Sequence, residues 1–128
     1  MSIFTKIING EIPSHKVAEN DEFIAFLDIN PNAKGHTLCV PKQKIDKIFD
    51  MEKGLYTRLM EFSYDVAKAI EKAVPCKRVG IAVVGLEVPH VHVHLIPLQD
   101  MDDMRFQRKA SLTQQEFEET AQQIAANL

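Results

Sequence analysis

The chain has no excess of basic charge, no long apolar run and only two cysteines, and each absence removes a class of function. Lys and Arg number 15 against 18 Asp and Glu, for a formal net charge of -3. A nucleic-acid-binding surface normally needs a basic patch. Here basic residues are scattered among acidic ones, as at Lys42 and Lys44 near Asp46 and at Lys68 and Lys72 near Asp65 and Glu71. That pattern reads as solvated helix faces, so no nucleic-acid partner is expected. No apolar stretch approaches the ~20 residues that span a bilayer, and no basic region precedes an apolar one at the N-terminus. Neither a membrane partner nor a signal peptide is expected. Cys39 and Cys76 lack metal-ligand spacing and read as reduced, mostly buried thiols of a cytoplasmic protein. Repeats, low-complexity segments and Gly/Ser linkers are missing too. A length of 128 residues, 45% hydrophobic and 26% charged, suits one domain over 1–128.

Apolar residues at Ile3, Phe4, Ile7 and Ile8 suit a short helix ending at Asn9-Gly10. Residues 16–19 and 22–28 read as two strands around an Asn20-Asp21 turn, and Asn30-Pro31-Asn32 makes the next turn. Residues 36–40 form another strand, closed by Pro41. Leu55, Leu59, Phe62, Val66, Ile70 and Ala73 recur at helical spacing, giving a long amphipathic helix over 52–74 that Pro75 stops. Residues 79–84 form an apolar strand broken by Gly85. Thr113 and Glu116 form a capping box for a final helix carrying Phe117, Ala121, Ile124 and Leu128. Two strand groups separated by one long helix favour an antiparallel α+β domain over alternating β-α-β units.

Histidine is concentrated in one place. His90-Val91-His92-Val93-His94-Leu95-Ile96-Pro97 holds three of the five histidines at two-residue spacing. On a strand, His90, His92 and His94 share one face while Val91, Val93 and Leu95 cover the other. Three readings compete. As the exposed face of an edge strand the set is unusual, because such faces normally use Lys, Glu and Thr. As a metal site, a His-x-His pair suits zinc, but the outer Cα atoms lie ~13 Å apart at strand rise, so three imidazoles do not easily converge on one ion. A pair with a carboxylate stays open. As a catalytic centre, the central imidazole attacks an electrophile, and neighbours at ~6–7 Å position it and donate to the electrophile's oxygens. This last reading is preferred.

The run HVHVHLIP resembles the signature of the histidine triad (HIT) proteins, His-φ-His-φ-His-φ-φ with φ apolar. Ile3-Phe4-Thr5-Lys6-Ile7-Ile8-Asn9-Gly10-Glu11-Ile12-Pro13-Ser14 is similar to the family's opening segment. Phe26-Leu27-Asp28-Ile29-Asn30-Pro31 and Lys34-Gly35-His36-Thr37-Leu38-Cys39-Val40-Pro41-Lys42 match its next two blocks in order and spacing. The resemblance covers nearly the whole chain and points to the Hint-like branch. It implies a five-stranded antiparallel sheet with one long helix and a C-terminal helix. It also implies a homodimer in which the long helix and a strand edge join two sheets. The implied activity is a nucleotide hydrolase or transferase, acting without a cofactor on nucleoside 5'-phosphoramidates or related nucleotide conjugates. Cleavage would fall at the α-phosphorus, through a nucleotidyl-histidine.

Carried over by position, His92 would be the nucleophile, held in one tautomer by a backbone carbonyl near His90. His94 would donate to a non-bridging phosphate oxygen, and His36 matches the family's fourth histidine. Asp28 matches the carboxylate that accepts both ribose hydroxyls. Ile3, Phe4, Ile7, Ile12, Phe26 and Ile29 correspond to the apolar slot around the base, expected to take a purine with weak discrimination. Gly85 and Glu87 fall in the nucleotide-binding approach to the triad. Without the resemblance, Asp28 reads as a turn residue and the apolar set as core.

Two departures stand out. Many relatives carry two cysteines near the N-terminus and a histidine after the Pro-Lys block, forming a structural zinc site. Ser2, Thr5 and Lys44 stand there instead, so no metal is expected. Relatives also approach the triad through an Asn or Gln, a Gly-rich loop and Gly-Gln-(Ser/Thr)-Val. This chain has the shorter Val83-Val84-Gly85-Leu86-Glu87-Val88-Pro89, with Leu86 for the Gln and Glu87 for the hydroxyl. An ionised Glu87 facing phosphate is repulsive at short range. It either turns away, leaving a slower enzyme, or serves as a proton donor or a contact for a cationic leaving group. Dinucleoside polyphosphate hydrolysis and a nucleotide-binding module with little turnover are therefore the alternatives, with a metal-dependent hydrolase more remote. Residues 101–109 and the final helix diverge from better-known relatives, and which subunit's site they line is open.

Overall fold

The computed structural model describes residues 2–128. Its strands are β1 (Lys16–Glu19), β2 (Phe23–Leu27), β3 (Thr37–Pro41), β4 (Arg78–Ala82) and β5 (Val93–Leu98). Its helices are α1 (Ile3–Ile8), α2 (Lys53–Ala73) and α3 (Gln114–Ala125). The strands form one antiparallel sheet in the order β1-β2-β3-β5-β4, an α+β architecture. Local chemistry sets the element ends. Asn20 Oδ1 accepts the N–H groups of Glu22 and Phe23 and turns β1 into β2. Glu52 accepts those of Gly54 and Leu55 and starts α2, and the Thr113–Glu116 capping box starts α3.

Side-chain alternation stacks the layers. Phe23, Ala25 and Leu27 of β2, Cys39 of β3 and Val93 and Leu95 of β5 share a core with Leu59, Val66 and Ile70 of α2 and Phe117, Ala121 and Ile124 of α3. Ile24, Phe26, Leu38 and Val40 form a second cluster with Phe4 of α1, against which Ile7 and Ile8 pack. α1 therefore covers the face of the sheet opposite α2.

Some boundaries differ from expectation. β4 ends at Ala82, and Val83 and Val84 run on exposed to Gly85, whose φ of 74° suits only glycine well. Leu128 lies beyond α3 and is exposed. Cys39 is buried but Cys76 only partly so, and both are free thiols. The histidine run is the main correction: β5 begins at Val93, so His90 and His92 precede the strand. Pro89 has no N–H to give, the amide of His90 bonds Val88 O (2.8 Å), and that of Val91 bonds Ile45 O (2.7 Å). The segment is thus tied to the loop after β3 instead of joining a ladder. Its alternation survives, since Val91 joins Val93 and Leu95 in the α2-side core. β5 also lies between β3 and β4, which rules out an exposed edge-strand face for the histidines. No described helix is long and apolar enough to cross a membrane.

Candidate functional site

His90, His92 and His94 are 0%, 7% and 6% exposed, so each buried imidazole needs its nitrogens accounted for. His92 Nδ1 lies 2.7 Å from the backbone oxygen of His90. A carbonyl only accepts, so Nδ1 carries the proton and Nε2 keeps its lone pair. That Nε2 makes no hydrogen bond among the described residues. The same logic fixes His94 through a relay. The backbone N–H of Asn32 donates to His36 Nδ1 at 2.9 Å, which leaves the His36 proton on Nε2. His36 Nε2 then donates to His94 Nδ1 at 2.9 Å, which leaves the His94 proton on its Nε2. The His92 and His94 rings stand edge to face, centroids 4.8 Å apart. One imidazole offers a lone pair and its neighbour offers a donor.

Burial favours the neutral forms of His36, His94 and His90. It pushes His36 down to about 3 and His94 down to about 4, with neighbouring imidazoles and Lys109 adding to the effect. His90 is lowered too, mainly by burial and against the pull of the Pro41 carbonyl. His90 Nε2 donates to that carbonyl at 2.8 Å, so its Nδ1 accepts from the Ser2 hydroxyl, also at 2.8 Å. Ser2 Oγ in turn accepts the N–H of Thr5 and caps α1. Asp28 leaves the end of β2 with Oδ1 accepting the Asn30 N–H and Oδ2 3.6 Å from His36 Nε2. Burial raises its pKa, with a smaller push from the Glu87 charge, and the Asn30 N–H and Lys109 oppose the rise.

The apolar residues divide. Phe4 packs edge-on against Phe26 (5.7 Å), His90 (5.9 Å) and His92 (4.9 Å), joining α1 to the triad. Ile7 packs on the same cluster, and with Ile12 it lines a shallow cleft of about 270 Å³ that none of the triad histidines lines. Ile29, 72% exposed, and Ile3 face solvent. Gly85 and Glu87 lie on the open loop before the triad, where Glu87 is exposed and makes no ion pair among the described residues.

A model of the HIT domain matches residues 9–101. The chain belongs to the HIT family. It is similar over 98% of its length to an uncharacterized HIT-like protein of Borreliella burgdorferi, at 36% identity and covering 97% of that protein. It is 40% identical to adenosine 5'-monophosphoramidase HNT1 of Saccharomyces cerevisiae, over 77% of this chain and 63% of the yeast one. Among solved structures, a Hit-like protein of Bartonella henselae superposes with a TM-score of 0.86 at 31% identity, covering 99% of this chain and 96% of the other.

The zinc site of some HIT proteins does not fit this donor set. Ser2 and Thr5 present neutral hydroxyls already bonded to each other (3.1 Å), and Lys44 is a cation. Asp28, His36 and His94 also gather their donor atoms within 4.8 Å of one another. Yet the two ring nitrogens that meet there are 2.9 Å apart and share a proton, closer than the ~3.3 Å between two ligands on a tetrahedral zinc. Three contributors to this HIT site escaped the sequence reading as functional residues: Asn32, Phe106 and Lys109. Asn32 read as a plain turn residue, and the other two lie beyond the residues that the HIT-domain model matches.

Proposed function

We propose that this HIT protein is a nucleoside phosphoramidase or closely related nucleotide hydrolase acting through a nucleotidyl-histidine on His92. Nucleotide hydrolysis is supported at the family level by the monophosphoramidase relative. The single observation that carries the finer reading is the opposed pair of tautomers, a free lone pair on His92 beside a donating N–H on His94. In this mechanism His92 Nε2 bonds to the α-phosphorus while the bond to the leaving group breaks. His94 Nε2–H holds a non-bridging oxygen as charge builds, a donor fixed in advance by the Asn32–His36 relay. The leaving group takes a proton from solvent as it departs, and water then cleaves the P–N bond, releasing the nucleoside monophosphate, the free His92 imidazole and one proton back to solvent.

Asp28 accepts the ribose hydroxyls in this reading, and Phe4, Phe26 and Ile7 border the base, taken to be a purine. Phe4 thereby contacts both the base slot and the nucleophile's ring. Glu87 reads as turned to solvent, which favours slow turnover, and a nucleotide-binding module is the second reading. Radiolabelled nucleoside phosphoramidate separates the two. Rapid quench in alkaline denaturant, which preserves the acid-labile P–N bond, is expected to trap one labelled nucleotide per chain in the wild type and none in His92→Ala. An unlabelled wild type that still binds nucleotide would leave only the binding module. The same reading takes residues 1–128 as one functional unit, a homodimer, working in a reducing, cytoplasmic setting to which its free cysteines are suited.

A further inference from the structure

Residues beyond 101 lie outside the match to the HIT domain, yet they cross the mouth of the triad. The Phe106 ring stands edge-on to His94 at 4.9 Å and to His36 at 6.2 Å. The segment is pinned where Ala110 N–H donates to Pro31 O at 2.8 Å and Asn32 Nδ2 donates to Asp103 O at 3.0 Å. It carries three cations, and two of them are spoken for. Arg105 pairs with Asp102 at 3.1 Å, and Arg108 reaches Asp103 at 3.3 Å and Asp102 at 3.4 Å. Lys109 makes no ion pair among the described residues. Its Nζ donates to Asn32 Oδ1 at 2.9 Å and sits 5.1 Å from the centre of the Phe106 ring.

The position of this ammonium is specific. Its one acceptor belongs to the residue whose backbone N–H starts the relay to His36 and His94. An ammonium has three donors, so two remain uncommitted beside the site. A neutral amide oxygen is a weaker partner than an oxyanion, and the Phe106 face shields one side of the charge from water. The field of Lys109 also reaches the reacting groups, since it opposes protonation of both His36 and His94 and favours the ionised form of Asp28.

We propose that Lys109, presented by Asn32 and Phe106, forms an anion subsite beside the triad that takes a second tetrahedral oxyanion of the nucleotide, in addition to the α-phosphate. The proposal rests on the nucleotide-binding reading of the triad. The second oxyanion is a phosphate or sulfate, borne either on the 5' chain or on the ribose.

Calorimetric titration tests this with three probes: AMP, α,β-methylene-ADP and adenosine 3',5'-bisphosphate. Wild-type protein is expected to bind at least one of the two probes with a second phosphoryl group about tenfold tighter than AMP. Lys109→Gln should erase that increment and Lys109→Arg should keep most of it. Raised salt should erode it in the wild type. The probe showing the increment tells whether the second oxyanion sits on the 5' chain or the ribose. An increment equal in wild type and Lys109→Gln, or absent from the wild type, overturns the subsite. If the wild type binds none of the probes, the nucleotide reading falls with it.

Discussion

At the scale of single residues, the site is governed by which nitrogen bears each proton. Ser2 shows how far that bookkeeping extends. It serves as the cap of α1 and as the donor to His90 Nδ1, so two elements share one hydroxyl. Ser2→Ala strands a buried imidazole nitrogen and a helix-end N–H together. The expected loss is about 1–3 kcal/mol of stability, read from denaturant midpoints, with Ser2→Thr restoring most of it. A loss of only a few tenths would mean that the contact with His90 carries no weight. The sequence reading found Ser2 through a missing cysteine, but not its bond to a histidine 88 positions away. Hydroxyl-to-imidazole contacts across a fold leave no periodicity to detect. The histidine cluster was legible for the opposite reason, because alternation with apolar residues is a local signal that survived even where the strand did not form.

At the scale of elements, the two sheet edges are treated differently. β1 is guarded by charge, with Glu19 held between Lys16 and Lys42 at 2.8 Å each, and by an irregular register between Lys16 and Ala18. β4 carries a charge only at its first residue, Arg78, which makes no ion pair among the described residues. It exposes Ile81, and the run beyond it exposes Val83 and Val84. A thinly guarded apolar edge beside the triad strand is where a second copy would pair, so the proposed homodimer is expected to use β4. Light scattering on a sizing column should give twice the chain mass for the wild type and the single mass for Ile81→Lys at low micromolar concentration. A monomeric wild type would remove the dimer. The limits of α1 and α2 and the start of α3 were readable to within a residue or so because caps and stops are local chemistry, whereas α3, with no stop signal after it, ends three residues before Leu128. β1, β2 and β3 were readable to within a residue as well, but the limits of β4 and β5 were not, since they depend on which distant carbonyl captures each amide, as Ile45 O captures Val91. The segment after β5 was illegible as a site for the same reason: nothing local says that Phe106 and Lys109 fold back onto His36 and His94.

At the scale of the whole molecule, a candidate site built on buried imidazoles makes stability depend on pH. His36 and His94 stay neutral in the fold down to about 3 and about 4, and His90 is lowered as well. The unfolded chain protonates the same rings near ~6.5. Above that value neither state binds the protons, and the rings' full contribution to stability is present. As pH falls below it, the unfolded state gains protons that the native state refuses, so stability is lost progressively toward the folded values. Asp28 works in the other direction, because a raised carboxyl contributes most at low pH and loses that contribution as pH rises through its folded value. The carboxylates held low, such as Glu19 and Asp103, act in a more acid window, below ~4. In the interval from about pH 7 to about pH 5 the carboxylates held low stay ionised, and each ring that stays neutral in the native state loses on the order of 2 kcal/mol, with Asp28 opposing that loss. Urea unfolding across that interval should show the loss, and His36→Gln should make the slope shallower by removing one of the rings. A flat profile in the wild type would mean that these imidazoles accept protons inside the fold, and the fixed donor on His94 would then have no basis.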